Sequence, residues 1–435
     1  MDRSRAKGPA MHFAPYRRVL ALPGVKSVLA LSTYGRIPPL AGSMVLTLYV
    51  VLELKLGFGA AGAVFSASIF GGALGAPLLG RLTDRYGLRP VVVLGTVTSA
   101  VFWATAGWMS YPVLLIAGFA SRVIQAPVFT ISRQALAAMV PEEQRRPAYS
   151  LDSVAVELSY MTGPSLGVVI ATQMSPQAAI WAVGVGVVAS GVGLYLLNPP
   201  LRSEAEEAGV GTARIPVRRW LRPGIVAVLL TVAGATFILG ATEVVVVAVL
   251  EHASELAWAS VVLIAWGVCS MTGGLVYGGL RRAPGPAVLM LLLGVTTVLL
   301  AFADDWIWLC LALIPAGLLC APTLAGAADA MSRLAPAAVR GEAMGYYGSA
   351  LSIGMAVGTP LAGAVVDLAG PSWGFAAAGG SGVVVAVAAM LVSRHDRSAA
   401  AASPATPGAE QARAVLAGAE PAGTQPAGQL ASASQ

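Results

Sequence analysis

Four ionisable residues stand inside apolar stretches that are long enough to cross a bilayer: Arg36, Arg122, Glu157 and Glu243. A charged side chain at mid-membrane costs about 2.5–3.5 kcal/mol on insertion scales, so each of these residues requires a reason. Arg36 follows Lys26 by ten residues, a distance of about 15 Å along a helix. Arg122 and Glu157 lie at comparable distances from the ends of their own stretches. We therefore expect these three residues to lie at a similar depth.

A carboxyl group at this depth can carry a proton. A neighbouring arginine favours the ionised carboxylate, and separation of the two favours proton uptake. A conformational change can thus exchange a proton with one side of the membrane. We expect Glu157, assisted by Arg36 or Arg122, to carry a coupled proton, and Glu243 is a further candidate. The alternative interpretation is a static ion pair that holds the helices together. Capping or solvated roles are expected for three acids near predicted helix ends: Asp152, Asp329 and Asp367.

Several aromatic and polar residues occur at similar depths and are candidates to line a substrate cavity. A mixed aromatic and polar cavity suits an amphipathic organic compound better than an inorganic ion. For each residue, simple packing between helices is the alternative role. The candidates are Tyr34, Gln125, Tyr160, Thr236, Phe237, Trp266 and Tyr347.

The composition shows what kind of structure must position these residues. Hydrophobic residues make up 57% of the chain, charged residues only 11%, and the mean hydropathy is +0.75. A soluble domain carries roughly a quarter charged residues, so these values predict an all-α integral membrane protein. The net charge of +6 comes from basic residues in short stretches between apolar segments, a pattern typical of a topology signal rather than of nucleic-acid binding.

The apolar segments predict twelve transmembrane helices, because each span needs about 20 apolar residues. The longest polar interruption before the C-terminus, residues 198–222, is predicted to be a cytoplasmic linker between two six-helix halves, 27–197 and 223–393. Residues 1–26 are expected to form a cytoplasmic tail, and residues 394–435 a disordered cytoplasmic tail. The predicted spans are 27–52, 57–80, 90–109, 112–133, 148–172, 176–197, 223–250, 256–280, 285–303, 306–331, 342–369 and 371–393.

Charged residues alternate between the loops. Acids such as Glu53, Glu251 and Asp305 follow odd-numbered spans, whereas arginines follow even-numbered ones. Because basic loops stay in the cytoplasm, both termini are expected to be cytoplasmic in a multi-pass protein of the cell membrane. The arginines in these loops are Arg81, Arg85, Arg89, Arg145, Arg146, Arg214, Arg218, Arg219, Arg222, Arg281, Arg282, Arg333 and Arg340.

An internal repeat supports the division into halves. The segment 141–148 before span five and the segment 336–343 before span eleven share Pro, Arg and Ala at the same spacing. Later in the same spans, Pro164-Ser-Leu-Gly167 corresponds to Pro360-Leu-Ala-Gly363. Repeated halves are characteristic of secondary transporters.

The loop after span two reads Gly80-Arg-Leu-Thr-Asp84-Arg85-Tyr-Gly87-Leu-Arg89-Pro. It resembles the G-x-L-x-D-R-x-G-x-R loop of the major facilitator superfamily. The resemblance implies that Asp84 faces the N-terminus of helix eleven in an outward-facing conformational lock, where a helix N-terminus favours a carboxylate. Arg133, at the inner end of span four, is expected to complete the pair.

Two further segments resemble patterns of the same superfamily. Arg122-Val-Ile-Gln125-Ala is similar to the R-x-x-Q-G pattern of helix four, with Ala126 in place of glycine. The helix-five motif, Gly163-Pro164-Ser-Leu-Gly167, resembles the G-P-x-x-G pattern associated with exporters. Together these resemblances imply a bacterial transporter of the drug-efflux type.

The sequence thus predicts proton-coupled export of a small organic compound by alternating access. An importer or facilitator of a sugar or another metabolite, and a non-transporting receptor of the same fold, are alternatives. We expect no enzymatic activity, because no HExxH, GxSxG or GxxxxGK[ST] motif occurs. No cofactor, metal or nucleic acid is expected. The expected partners are a small-molecule substrate, protons and lipid, and the chain is expected to act as a monomer.

Overall fold

The computed structural model describes residues 14–56, 58–202, 216–255, 258–280, 283–303 and 305–402. Within these ranges the chain is almost entirely helical and contains no β-strand, which confirms the predicted all-α class. The helices are α1 (Ala14–Ala21), α2 (Val25–Leu48), α3 (Phe58–Tyr86), α4 (Leu88–Thr105), α5 (Tyr111–Ile124), α6 (Val128–Met139), α7 (Arg145–Gln173), α8 (Pro176–Leu197), α9 (Val217–Trp220), α10 (Pro223–His252), α11 (Ala259–Gly279), α12 (Pro286–Leu299), α13 (Trp306–Leu334), α14 (Arg340–Ala369) and α15 (Pro371–Ala402).

Eleven helical segments in the described part of the chain are long and apolar enough to cross a membrane. The segment that corresponds to predicted span nine, Pro286–Phe302, is apolar but shorter. Predicted span four extends to Met139 instead of ending near residue 133, and predicted span two likewise continues to Tyr86 instead of residue 80. Span four consists of α5 and α6, which are separated at Gln125, Ala126 and Pro127. Proline has no backbone N–H and disfavours helical geometry in the residue before it, which accounts for the interruption.

The predicted tails and linker contain helical structure. The predicted N-terminal tail includes α1, whose Tyr16 and Val19 are buried, and residues 1–13 lie outside the described ranges. The linker begins at Asn198, which ends α8 in a left-handed conformation, and it includes α9; residues 203–215 are also outside those ranges. Helix α15 continues past the predicted boundary at residue 393 to Ala402. The remainder of the predicted disordered tail, residues 403–435, lies outside the described ranges.

Helices α2–α8 and α10–α15 form two groups with corresponding contacts. Helix α2 packs against α7 as α10 packs against α14, and α3 packs against α5 as α11 packs against α13. Glycines permit the first correspondence: a Cβ atom on Gly163 would lie 2.9 Å from Leu40 Cβ, and one on Gly358 would lie 2.3 Å from the Phe237 carbonyl oxygen. Small residues at such positions allow helix backbones to approach closely.

The two groups meet at one end of the bundle, where α3, α6, α11 and α13 finish and α7 and α14 begin. We call this the basic end, because it carries Arg81, Arg85, Arg145, Arg146 and Arg333. The groups contact each other along two seams, which we call the first seam (α3 with α14) and the second seam (α7 with α11). A buried apolar cluster that includes Tyr149, Tyr277 and Met344 joins both groups at this end.

Candidate functional site

Arg36, Ser132, Arg133 and Asp152 form a buried charge cluster inside the first group of helices. Arg36 and Asp152 are completely buried, and Arg133 is nearly so. One carboxylate oxygen of Asp152 pairs with Arg36 Nη2 and accepts from Ser132 Oγ at 3.2 Å, while the other accepts from Arg133 Nε at 3.0 Å. The expectation that Asp152 has a capping or solvated role is therefore wrong. Helix α7 begins at Arg145, so Asp152 lies two turns into the helix and faces α2 and α6.

Arg133 connects this cluster to the second group of helices. Its Nη1 donates to the hydroxyl of Tyr347 at 2.6 Å, and that hydroxyl donates to the Leu324 carbonyl oxygen at 3.0 Å. The expectation that Arg133 completes a pair with Asp84 is wrong, because α6 continues to Met139 and places Arg133 inside the helix. Tyr347, a cavity candidate, is fully buried in this contact.

Glu157 lies at the second seam, apart from the buried charge cluster. Its Oε1 accepts a hydrogen bond from Ser270 Oγ of α11 at 2.6 Å. The predicted meeting of Glu157 with Arg36 and Arg122 does not occur in this structure, since Arg36 pairs with Asp152 and Arg122 donates to Gln125. Five residues separate Asp152 from Glu157, roughly 140° of helix rotation, so the two acids face different neighbours.

Glu243 of α10 has an exposed side chain and lies close enough to Glu157 for the two carboxylates to interact electrostatically. Two of the predicted cavity residues, Tyr34 and Tyr160, are 44% and 40% exposed. Phe237 is half-buried. Tyr160 lies close enough to Glu157 and Glu243 to interact electrostatically with both, so two acids and one tyrosine lie together between the groups.

The remaining cavity candidates have other surroundings. Gln125 and Arg122 line a small pocket among α2, α3, α4 and α5, together with Trp103. Thr236 is buried and donates to the Val232 carbonyl oxygen at 3.0 Å. Trp266 is buried, and no hydrogen-bond partner for its Nε1 occurs among the described residues. Thr236, Trp266 and Tyr347 are consequently packing residues in this conformation.

Asp84 lies at the N-terminus of α14, in the first seam. Its Oδ1 accepts from the backbone N–H of Gly341 at 3.0 Å, and its Oδ2 accepts from that of Glu342 at 2.8 Å. Unpaired N–H groups and the helix dipole make a helix N-terminus favourable for a carboxylate. Gly80 permits this approach, because a Cβ atom there would lie only 2.2 Å from the Gly341 carbonyl oxygen.

Two charged partners of this contact were not found by sequence reasoning. Arg202, in the linker, lies 3.6 Å from Asp84 Oδ1 and donates to the carbonyl oxygens of Asp84 and Ala338 at 3.1 and 3.4 Å. Glu342 pairs with Arg81 across the same seam. Neither Arg202 nor Glu342 belongs to the loop pattern of residues 80–89, and only their charge marks them in the sequence.

The other residues of the loop pattern serve the turn itself. Gly87 has a φ of +82° and begins α4, a conformation that glycine adopts readily. The guanidinium of Arg85 lies over the Tyr86 ring, and that of Arg89 over the Tyr195 ring. Both arginines therefore stack on tyrosines of the first group of helices.

The helix-five motif brings α7 against α2. A Cβ atom on Gly167 would lie 3.0 Å from the Ala41 carbonyl oxygen, comparable to the close approach at Gly163. Pro164 lies inside α7 without ending the helix. The motif thus shapes a contact within the first group of helices.

The first seam provides a test by steric block. A Cβ atom on Gly345 would lie 2.4 Å from the Ala76 carbonyl oxygen, and overpacking costs about 1–3 kcal/mol. We expect Gly345→Val to reduce the ratio of molecules closed to molecules open at the basic end by about 5- to 150-fold. The measurement is a spin-label distance between Tyr86→Cys and Leu334→Cys, both exposed positions at this end, with Cys269, Cys310 and Cys320 replaced by serine.

Gly363→Val is the matched control, because it changes the same helix at a position with nothing within 4 Å. It should leave the distance unchanged. Equal distances in both variants would contradict the steric role of Gly345.

These features define a class of protein: a helical membrane protein with two corresponding groups of helices and acids between them. The sequence model of the Major Facilitator Superfamily matches residues 39–303 and 281–430. The chain belongs to this superfamily of transporters, which confirms the resemblance of its loop, and it is a multi-pass protein of the cytoplasmic membrane.

Comparisons with individual proteins agree with this assignment. The chain is 26% identical to a chloramphenicol resistance protein of Streptomyces lividans over 356 residues, 79% of this chain and 88% of the relative. It is 33% identical to a class E tetracycline resistance protein of Escherichia coli over 129 residues, 28% of this chain and 30% of the relative. The fold is similar to the crystal structure of a bacterial homologue of the iron transporter ferroportin in an outward-facing state, with 17% identity and a TM-score of 0.67 over 87% of this chain and 100% of that one.

Proposed function

We propose that the chain is a secondary active transporter that exports a small, amphipathic organic compound in exchange for protons. It acts as a monomer and has no enzymatic activity. The names of the two resistance proteins to which it is similar support export. Tyr160 near Glu243 supports an amphipathic substrate, because an aromatic face and a carboxylate suit such a compound.

The proposed topology has twelve spans in two six-helix halves, with both termini in the cytoplasm. The short apolar segment Pro286–Phe302 is the ninth span, since a short hydrophobic segment is accommodated by local thinning of the bilayer. The basic residues at the basic end support a cytoplasmic location for it. The contacts at both seams then correspond to an outward-facing conformation, closed towards the cytoplasm.

The observation that carries the coupling proposal is the hydrogen bond between Glu157 and Ser270, which joins the two halves. Opening of the second seam breaks this bond and changes the surroundings of the carboxyl. While the seam is closed, Glu157 lies in largely desolvated surroundings, where a neutral carboxyl costs far less to bury than a carboxylate. In the outward-facing conformation the carboxyl therefore takes up a proton from outside. Opening of the second seam towards the cytoplasm admits water to the carboxyl, which favours proton release inside, with Glu243 as the nearby second acid.

Inside-out vesicles test the function directly. With an acidic lumen, vesicles that contain the protein are expected to accumulate labelled chloramphenicol or tetracycline. For one-for-one exchange, a pH difference of about one unit supports about a tenfold concentration ratio. The ratio should collapse when nigericin removes the gradient, and vesicles without the protein should show none.

Failure to concentrate either compound, together with uptake of a labelled sugar into right-side-out vesicles, would overturn export in favour of an importer. Absence of any flux for a compound that the purified protein binds would instead indicate a receptor.

A further inference from the structure

Helix α1 lies across the second seam at the basic end. It contacts α7 of the first group and α11 of the second. The hydroxyl of Tyr16 donates to the Leu275 carbonyl oxygen of α11. Val19, on the next turn, is completely buried in the apolar cluster that contains Tyr149 and Tyr277. One face of α1 therefore packs against both sides of this seam. Arg17 and Arg18 on its other face are exposed.

A tight turn ties α1 to the first group. Gly24 has a φ of +79°, and a Cβ atom there would lie 2.7 Å from Met139 Cε of α6. The backbone N–H of Leu22 bonds to the Val19 carbonyl oxygen at 3.2 Å, which closes the turn between α1 and α2. Because the turn is docked on α6, the Tyr16 contact must stretch or break when α11 moves away from α7.

The contact of Tyr16 with α11 is sterically specific, and it persists over the physiological pH range. The Cβ position of Gly278 lies 2.5 Å from the Tyr16 hydroxyl oxygen and 2.6 Å from Ser150 Oγ of α7, so only a glycine fits between these groups. Burial raises the pKa of Tyr16 to about 12. The phenol therefore stays protonated and remains a donor over the whole range in which a cell operates.

The two seams are closed by different devices. The first seam has the Asp84 carboxylate on the N-terminus of α14. The corresponding loop after α11 reads Leu280-Arg281-Arg282 and has no acid at that place. Arg146 donates to the Leu280 carbonyl oxygen at 3.0 Å, and α1 adds a contact of its own from outside the repeated halves.

We propose that α1 is a strap that holds the second seam closed and thereby takes the place of the missing acid. It biases the transporter towards the conformation closed at the basic end. Because it concerns the two conformations of an alternating-access protein, the proposal rests on the proposed function. Tyr16 is a positioning residue in this scheme and has no contact with the acids between the halves.

The test measures conformation in the full-length protein, independently of any substrate. Spin labels at Tyr86→Cys and Leu334→Cys, with the three native cysteines replaced by serine, report the width of the basic end. Tyr16→Phe removes one hydrogen bond, which corresponds to about a 2- to 12-fold increase in the open population. Tyr16→Ala also removes the buried ring and should open the end further. Arg17→Ala changes the adjacent exposed residue and should match the parent protein.

Asp84→Asn serves as the reference that opens the first seam. If it widens the basic end while Tyr16→Ala and Tyr16→Phe leave the distances unchanged, the strap is refuted and the proposed function stands. If none of these variants changes the distances, the conformational part of the proposed function fails together with the strap. The control is thermal unfolding in detergent. If Tyr16→Phe unfolds at the same temperature as the parent protein, any opening of the basic end is not a consequence of unfolding.

Discussion

Replacement of Glu157 by glutamine is expected to abolish proton-driven accumulation and to leave substrate exchange intact. Glutamine has the same shape, and its side-chain oxygen can still accept from Ser270 Oγ, but it cannot bind and release a proton. With a pH difference of about one unit, the concentration ratio should fall from about tenfold to one. Counterflow of labelled against unlabelled substrate, which needs no proton movement, should continue in the same proteoliposomes.

Ser270→Ala and Glu243→Gln are the companion variants. Ser270→Ala removes the donor and leaves the proton site, so coupling should persist with an altered pH dependence. Glu243→Gln removes the second acid and tests whether Glu157 suffices alone. If Glu157→Gln retains full pH-driven accumulation while Glu243→Gln loses it, the coupled proton belongs to Glu243.

The fold was largely predictable because a membrane span is defined by the length and apolar composition of one continuous segment. A run of apolar residues must reach across the bilayer whatever its neighbours are, and most predicted spans agree with helices in the structure. The differences arise where local chemistry competes with this rule. Pro127 interrupts the fourth span, which nevertheless continues to Met139. The segment Pro286–Phe302 is apolar but shorter than its counterparts.

The partners within the site were less predictable, because depth alone does not determine which way a side chain faces. Arg36, Arg122 and Glu157 do lie inside apolar helices. The direction in which each side chain leaves its helix, however, brings Arg36 to Asp152 and Glu157 to Ser270. The Asp84 contact with Gly341 and Glu342 has a local sequence pattern. Arg202 has none, since its position depends on how the linker returns across the basic end.

The two sets of charges inside the helix bundle differ in a way that bears on mechanism. Glu157 and Glu243 lie close together between the groups, and the side chain of Glu243 is exposed. Arg36 and Asp152 are completely enclosed within one group and are already paired. A group that exchanges protons with both sides must be reached from both sides. The buried charge cluster therefore suits a structural role, while the accessible acids suit coupling.

A large loss of stability is accordingly expected when Asp152 is replaced by alanine. The change leaves Arg36 and Arg133 facing each other without a counter-charge, and removal of one partner of a buried ion pair costs about 3–5 kcal/mol. The variant should unfold at a clearly lower temperature in detergent, and Asp152→Asn should lie between it and the parent. Asp329→Asn is the matched control, because its partner Arg333 is 36% exposed and such pairs contribute about 0–1 kcal/mol.

A double variant separates loss of the ion pair from loss of packing. Arg36→Met with Asp152→Leu replaces one of the two ion pairs by apolar groups, and such exchanges are often neutral or stabilising. Arg133 keeps the Tyr347 hydroxyl as a partner, so one buried arginine instead of two is left without a counter-charge. The double variant should therefore unfold closer to the parent than Asp152→Ala does. Recovery would show that the cost in the single variant comes from unpaired buried charge. If Asp152→Ala instead unfolds at the same temperature as Asp329→Asn, the cluster does not stabilise the bundle, and Asp152 becomes a candidate for a role in transport.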